Sequence, residues 1–172
     1  MSEVTVSNEE LGQKDDQLAV YVGKKYSSYY EKKWAKIDEK NNQTSWNFAA
    51  FFLSLFWLGY RKMYGNVLLI IGIFLVIDLF IFLVADPGNE ALMLRLNNSV
   101  GLGMAVTTGL FGNYMYRHHA RKQIEKITSM DSNREQHEEI LRKKGGRSWL
   151  GVFYTILIVI GYGLVSTVLF GF

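Results

Sequence analysis

Hydrophobic residues are gathered into four blocks along the chain, and charged residues lie mostly between them. The blocks cover 46–60, 66–85, 99–116 and 149–170. The hydrocarbon core of a bilayer is about 30 Å thick and needs roughly 20 helical residues to cross it. Three blocks approach or exceed that length. We therefore predict transmembrane helices over 66–85, 99–116 and 149–172.

The first block, 46–60, is shorter than a helix needs to be to cross the hydrocarbon core of a bilayer. As a helix it would measure about 22 Å, and it has aromatic residues at both ends, which is typical of anchors at a membrane interface. We therefore predict that 45–64 is a re-entrant or interfacial helix on the cytoplasmic side, with a fourth span as the alternative. The residues expected at the lipid headgroups are Trp46, Trp57, Tyr60, Arg61 and Lys62.

The polar head that precedes this block divides in two. Residues 1–16 show no periodicity and are predicted to form a disordered tail. Within 17–44, aromatic and apolar residues recur at helical spacing, which predicts an amphipathic helix. Its stripe consists of Tyr26, Tyr30, Trp34 and Ile37. Lysines surround the stripe, so this face either rests on anionic headgroups or packs on the rest of the protein, and we favour packing.

The charged segment 117–148 is predicted to form a cytoplasmic helical hairpin. The first helix continues the second span to about Ile127, the chain breaks near 129–131, and a second helix ends at Gly145 and Gly146. Glycine after the last turn is a common helix terminator. Together with the three spans, the amphipathic helix within 17–44 and the re-entrant or interfacial helix over 45–64, this gives an all-α membrane protein as the predicted fold class.

The distribution of basic residues predicts the orientation. Segment 117–148 carries nine lysine and arginine residues, whereas the loop 86–96 carries one, Arg95. Basic residues near span ends are retained in the cytoplasm. The N-terminus and 117–148 are therefore predicted to be cytoplasmic, and Phe172 to lie outside. The basic residues expected at lipid headgroups beside the second span are Arg117, Arg121 and Lys122.

Composition adds exclusions to this picture. The chain has no cysteine and a net charge of +3, so we expect no disulfide and no thiolate metal site. His118 and His119 are adjacent, point about 100° apart on a helix, and are poorly placed to share a metal. The basic cluster at 117–122 is explained by topology, so we expect no nucleic acid partner, and we expect neither a metal nor a cofactor.

One ionisable side chain, Asp78, falls inside a predicted span. A buried carboxylate needs a partner or a proton. By helical rise, Thr107, Thr108 and Tyr162 should lie at a similar depth, so we predict hydrogen bonds between Asp78 and this set. The interpretation we favour is structural, with Asp78 holding helices in register. The alternative is a relay for protons or cations.

Small residues recur every four positions in the second and third spans. Gly101, Ala105 and Gly109 form one stripe, and a second stripe includes Gly163. Such stripes let helix backbones approach closely in lipid. We predict an intramolecular seam between the two spans, with a homodimer or a partner helix as the alternative.

Three segments resemble a bacterial membrane family known as domain of unknown function 2628. They are YVGKKYSSYYEKKW (21–34), SWNFAAFFLSLFWLGYRKMY (45–64) and GNYMYRHHARKQI (112–124). The resemblance covers roughly 18–125 and implies the bacterial cytoplasmic membrane, without an activity. Family members often have a glycine-proline pair where this chain has Leu55, and that difference weakens the case for a break inside the re-entrant segment.

The function predicted from these features is that of a non-enzymatic adaptor or regulatory subunit at the cytoplasmic face of the membrane. Its expected partners are anionic lipids and a membrane protein or a second copy. The alternative is an ion-coupled transport or permeation component that uses Asp78. An enzyme is disfavoured, since the sequence lacks paired carboxylates, a nucleophile elbow and a phosphate-binding glycine loop.

Overall fold

The computed structural model describes residues 8–39, 42–84, 89–130 and 133–171, which are mostly helical with no strand among them. They form α1 (Asn8–Val22), α2 (Glu31–Glu39), α3 (Phe48–Leu53), α4 (Leu55–Tyr60), α5 (Tyr64–Val84), α6 (Glu90–Thr128), α7 (Arg134–Lys144) and α8 (Trp149–Phe170). The all-α prediction is confirmed for this part of the chain. Two compact units result: unit 1 comprises residues 1–45 and 113–146, and unit 2 comprises 46–112 and 147–172.

Two helices of unit 2, α5 and α8, are long and apolar enough to cross a membrane, judged by length and composition within the described residues. They correspond to the first and third predicted spans. Most of their apolar side chains are exposed on the protein surface, including Phe80 and Leu83 on α5 and Phe153 and Val168 on α8. The predicted second span lies inside α6, a 39-residue helix that does not meet the same criteria.

Helices α5 and α8 run side by side in the same direction. The backbone N–H of Ser148 donates to the carbonyl of Tyr60, 3.0 Å away, just before both helices begin. At the other end, the rings of Phe82 and Phe170 lie 5.7 Å apart. Contacts at both ends in the same order establish a parallel pair.

The first part of α6 runs in the opposite direction. Asn97 and Gly101 line a cavity together with Ser166, from the second half of α8. Farther along α6, the Gly109 carbonyl accepts from the backbone N–H of Asn47, 2.8 Å away, at the end where α5 and α8 begin. Within unit 2, α6 therefore returns antiparallel to the other two helices.

The segment 45–64 contains a break, which the substitution at Leu55 had argued against. Asn47 caps α3 by accepting from the backbone N–H of Ala50 at 3.0 Å. Ser54 then adopts φ 43° and ψ −113°, and α4 starts at the next residue. Positive φ is uncommon for a residue other than glycine, and at Ser54 it marks the point where the chain changes direction between the two short helices. Each short helix is about 9 Å long.

The head of unit 1 also differs from the prediction. Helix α1 begins at Asn8, so the predicted tail 1–16 is wrong for residues 8–16, while 1–7 lie outside the described residues. The single amphipathic helix expected over 17–44 is instead divided, because Gly23 has φ 74° and a π-helical segment follows at Tyr26–Tyr30. Glycine tolerates this conformation without steric cost.

Aromatic packing forms the core of unit 1. Tyr30, Trp34 and Ile37 of the predicted stripe are buried, and the ring of Tyr30 lies 5.1 Å from that of Tyr116 on α6. The indole N–H of Trp34 donates to the Asn113 carbonyl at 3.0 Å. These contacts are the protein packing that we favoured for this face.

The predicted hairpin over 117–148 corresponds to the end of α6 followed by α7. Asn133 and Gln136 form a reciprocal capping box at the start of α7, which satisfies backbone donors that a helix leaves unpaired. After α7, the backbone N–H of Gly146 donates to the Tyr21 carbonyl at 2.7 Å. A Cβ at Gly145 would overlap that carbonyl, so glycine is required there.

Candidate functional site

Asp78 joins α5 to α8 through hydrogen bonds. The hydroxyl of Tyr162 donates to Oδ2 of Asp78 at 2.7 Å, and the hydroxyl of Ser166 donates to the same oxygen at 2.8 Å. Asp78 itself is 5% exposed. The predicted Asp78–Tyr162 hydrogen bond is confirmed. Ser166 was not predicted, although its position four residues after Tyr162 puts both hydroxyls on one helical face.

A cavity of about 380 Å³ adjoins this carboxylate within unit 2. Asn97 and Thr167 add polar groups to its lining, and Phe74 adds an aromatic ring. The rings of Phe74 and Tyr162 are 6.0 Å apart and inclined at 50°. An acid, hydroxyls and aromatic rings therefore converge on one concave space, which is the usual character of a small-molecule site.

The two threonines predicted beside Asp78 bond elsewhere. Thr107 donates to the Gly103 carbonyl at 2.8 Å, and Thr108 is within hydrogen-bond distance of the carbonyls of Met104 and Ala50. Bonding to a carbonyl one turn earlier is a common way for threonine to satisfy its hydroxyl inside a helix. The part of the prediction that placed Thr107 and Thr108 at Asp78 is wrong.

The small-residue stripes also have different partners from those predicted. A Cβ at Gly109 would lie 3.0 Å from Cβ of Phe51 on α3. Ala105 is half-buried. A Cβ added at Gly101 or at Gly163 would have no heavy atom within 4 Å, and both glycines instead line the cavity beside Asp78. The close backbone contact predicted for the seam between the second and third spans is therefore absent at Gly101 and Gly163.

On α8, the close approach is to α4. A Cβ at Gly59 would lie 2.6 Å from the Gly151 carbonyl and would overlap the Thr155 hydroxyl. Both Gly59 and Thr155 are buried. The small residues of α8 thus pack against the broken segment α3–α4, where the sequence had predicted contact with the second span in α6.

Comparison with family models gives a match to "Protein of unknown function (DUF2628)" over residues 10–122, more than half of the chain. The chain belongs to the DUF2628 family. Neither the curated proteins nor the solved structures provide a match. The DUF2628 region includes Asp78, Asn97 and the broken segment, whereas Tyr162 and Ser166 follow it in the sequence.

Several residues of the DUF2628 region that were predicted at lipid headgroups have protein partners. Trp57 is 3% exposed and Arg61 is 6% exposed, so neither side chain is available to lipid phosphates. Tyr60 and Trp46 are half-buried, and Tyr60 packs on Trp149 with ring centroids 5.5 Å apart. The headgroup prediction is wrong for Trp57 and Arg61 and stays a prediction for the others.

Lys62 follows α4 at φ 59°, in the left-handed region that favours glycine. Burial lowers the pKa of the Lys62 ammonium group, because a charged group loses solvation when it is covered. Its half-buried position is compatible with an amphipathic lysine whose stem lies on apolar surface.

In unit 1, Arg117 forms an ion pair with Asp38 on α2 instead of facing lipid. The Arg117 side chain is 8% exposed and that of Asp38 is 59% exposed. The headgroup prediction is therefore wrong for Arg117. Asp38 was missed because an acidic residue on a lysine-rich helix looks like ordinary surface charge until the partner helix is known.

Arg121 and Lys122 are exposed, as a headgroup contact would require. The part of the Arg121 side chain that is covered and the neighbouring Arg117 lower its pKa, while Asp38, 3.9 Å away, raises it. In the same unit, burial lowers the pKa of His119, and His118 and Lys122 lower it further. Among the described residues, no group of three or more side chains could hold a metal ion.

Proposed function

We propose that this DUF2628 protein is a small integral membrane adaptor. Three helical crossings anchor it, and its polar helical unit 1 engages anionic lipid and a membrane partner at the cytoplasmic face. The observation that supports the proposal is the parallel direction of α5 and α8, because two parallel spans in a bilayer would need a third, returning crossing between them. The proposed setting is the bacterial cytoplasmic membrane.

Parallel neighbours in a bilayer require a return crossing between them. The chain leaves α5 at Val84 and enters α8 at Trp149, so it must cross back in the interval. The first part of α6, 90–112, is antiparallel and measures about 34 Å as a helix, which is enough for the hydrocarbon core. This supports α6 as the third crossing despite its lower hydropathy.

The surfaces of α5 and α8 support a lipid environment. In their most apolar windows, 28% of the residues of α5 and 11% of those of α8 are buried in the protein. A helix at the core of a water-soluble protein would have its apolar side chains mostly buried. In lipid, by contrast, the exposed leucine, valine and phenylalanine side chains require no further covering.

Unit 1 supports the adaptor role. It has its own apolar core, with Tyr21, Trp34 and Ile127 all buried, while Lys32 and Lys36 of α2 are exposed one helical turn apart. Basic residues at a cytoplasmic membrane surface attract anionic lipid and acidic partner surfaces. A stable polar unit attached to a membrane anchor is the arrangement that an adaptor needs.

The experiment that tests this role is purification of the full chain from crosslinked cells in mild detergent. We expect a partner at constant stoichiometry, reduced by the double substitution Lys32→Glu and Lys36→Glu. The matched control is the double substitution Lys126→Glu and Lys144→Glu. These lysines are also exposed but lie on other helices, so the yield of partner should be unchanged. Absence of any constant partner after crosslinking would overturn the adaptor proposal.

A second candidate function is ion-coupled transport or permeation, favoured by the cavity of about 380 Å³ beside Asp78. Asp78→Asn keeps the size of the side chain and removes its charge. For a transporter, this change should abolish flux in vesicles that contain the purified protein. For an adaptor, partner capture should survive the same change, so the two readouts separate the candidates.

A further inference from the structure

We propose that the cavity beside Asp78 is a binding site for a primary ammonium ion with a short apolar substituent. The inference concerns binding at a site within unit 2 and is independent of the adaptor role of unit 1. It follows from the way in which the carboxylate is held, the composition of the lining and the size of the space.

The Asp78 carboxylate accepts both of its hydrogen bonds through one of its two oxygen atoms. Both hydroxyl donors, Tyr162 and Ser166, reach Oδ2, and among the described residues no donor reaches Oδ1. A carboxylate that is 5% exposed loses most of its hydration, and two neutral hydroxyl donors offset part of that cost. A cation bonded to Oδ1 from the cavity would supply the missing charge and the missing donor.

The lining matches a cation that carries an apolar group. Phe74 and Tyr162 present aromatic rings, whose faces attract cations and whose surfaces pack on alkyl groups. Asn97 and Thr167 offer oxygen acceptors for the remaining N–H groups of an ammonium ion. The volume of about 380 Å³ lies within the range of small-molecule pockets, roughly 300–1,000 Å³.

The same chemistry disfavours a divalent metal ion. Calcium takes six to eight oxygen ligands, and magnesium is usually held through carboxylates and water in octahedral geometry. This cavity has one carboxylate, and no group of three or more metal-ligating side chains occurs among the described residues. A monovalent ion with several N–H donors is balanced by Asp78 alone.

Binding can be tested by isothermal titration calorimetry on the purified full-length protein in detergent, with n-butylammonium as the probe. We expect saturable binding, absent with the neutral analogue n-butanol and weaker with tetramethylammonium, which has no N–H donor. Asp78→Asn should weaken n-butylammonium binding at least about tenfold, because a charge-assisted hydrogen bond is lost. Glu139→Gln is the control, since Glu139 is an exposed carboxylate away from the cavity.

A second pair of variants keeps Asp78 and fills the cavity. Gly163 lines the cavity and Gly161 does not, and a Cβ at either position meets open space. Gly163→Phe should abolish n-butylammonium binding, whereas Gly161→Phe, on the other side of α8, should leave it intact. No saturable binding by the wild-type protein, or equal binding by Asp78→Asn or Gly163→Phe, would overturn the proposal. Equal affinity for n-butanol or tetramethylammonium would do the same.

Discussion

Beside Asp78 and along α6, the orientation of individual hydroxyl side chains determines which hydrogen-bond partners they reach. Tyr162 and Ser166 donate across to Asp78, whereas Thr107 bonds to a carbonyl of its own helix. Helical depth alone predicted the Asp78–Tyr162 bond and misplaced the threonines. Depth fixes how far along the membrane normal a residue lies, but its direction around the helix decides which partner it reaches.

At Arg117, removal of the partner charge should be costly. Asp38→Ala leaves the buried guanidinium of Arg117 without its carboxylate, and an unpaired buried charge destabilises the folded state. Because Asp38 is itself more than half exposed, we expect a loss of about 1–2 kcal/mol in the free energy of unfolding. Denaturant unfolding of the purified protein in detergent measures this loss.

The control for Asp38 is Glu39→Ala, which removes the adjacent acidic residue of α2. Glu39 is exposed and forms no ion pair among the described residues, so the change should be nearly neutral. The double variant Asp38→Ala with Arg117→Ala should recover part of the loss, since no buried charge then remains. Equal effects of Asp38→Ala and Glu39→Ala would contradict a stabilising pair.

His119 should make the stability of unit 1 depend on pH. Burial, His118 and Lys122 lower its pKa in the folded protein, below the unfolded value of about 6.5. Between the two pKa values the unfolded chain binds more protons, so the free energy of unfolding falls as pH is lowered through about 6.5. His119→Gln should flatten this fall, which thermal unfolding between pH 5 and 8 would show.

The control for His119 is His137→Gln. His137 lies on α7, with its ring nitrogen 3.3 Å from the Met130 carbonyl. In His137→Gln, the free energy of unfolding should fall by a similar amount at every pH, so its dependence on pH should match that of the wild-type protein. A slope that survives in His119→Gln and disappears in His137→Gln would show that a different histidine governs the pH dependence.

At the scale of elements, the broken segment α3–α4 determines which glycines are needed. Gly109 of α6 faces Phe51 on α3, and Gly151 of α8 faces Gly59 on α4. The spacing of small residues correctly indicated close packing, but it carries no information on which helix approaches. Ser54 gave no conventional sign of a break, because neither proline nor glycine occupies the position.

Gly59→Ala should therefore disrupt the α4–α8 contact. The added Cβ would lie 2.6 Å from the Gly151 carbonyl, and backbone cannot yield as a flexible side chain can. Overpacking of this kind costs about 1–3 kcal/mol, which would appear as a lower melting temperature in detergent. Gly72→Ala on α5 is the control: its Cβ meets open space, so better helix propensity should leave stability equal or slightly higher.

At the scale of the whole chain, hydropathy identifies α5 and α8 as apolar enough to cross a membrane, whereas α6 falls short. The first part of α6 contains Arg95, Asn97, Asn98 and several glycines, which lower its average hydropathy. Its hydroxyls bond to backbone carbonyls, as Ser99 does to Arg95 at 2.8 Å. A helix can thus be polar in composition and still present satisfied groups to its surroundings.

The charge pattern and the helix directions bear on the proposed topology by independent routes. By the positive-inside rule, the nine basic residues over 117–148 predict a cytoplasmic location for that segment. In the proposed membrane setting, two parallel spans, α5 and α8, would need a return crossing between them, and this argument makes no use of charge. The cavity beside Asp78, however, could not be predicted from sequence, because its walls come from α5, α6 and α8 and depend on their packing.

Labelling of single cysteines tests the return crossing directly, since the natural chain contains none. Ala91, at the start of α6, and Ser129, just beyond its end, are both exposed. With α6 crossing the bilayer, a membrane-impermeant maleimide should label Ala91→Cys in intact cells and Ser129→Cys only after permeabilisation. Phe80→Cys, on the exposed apolar face of α5, should react poorly in both cases, because thiolate forms poorly in hydrocarbon. If α6 stayed on one side, Ala91→Cys and Ser129→Cys would react alike, and a parallel α5–α8 pair could not span the membrane.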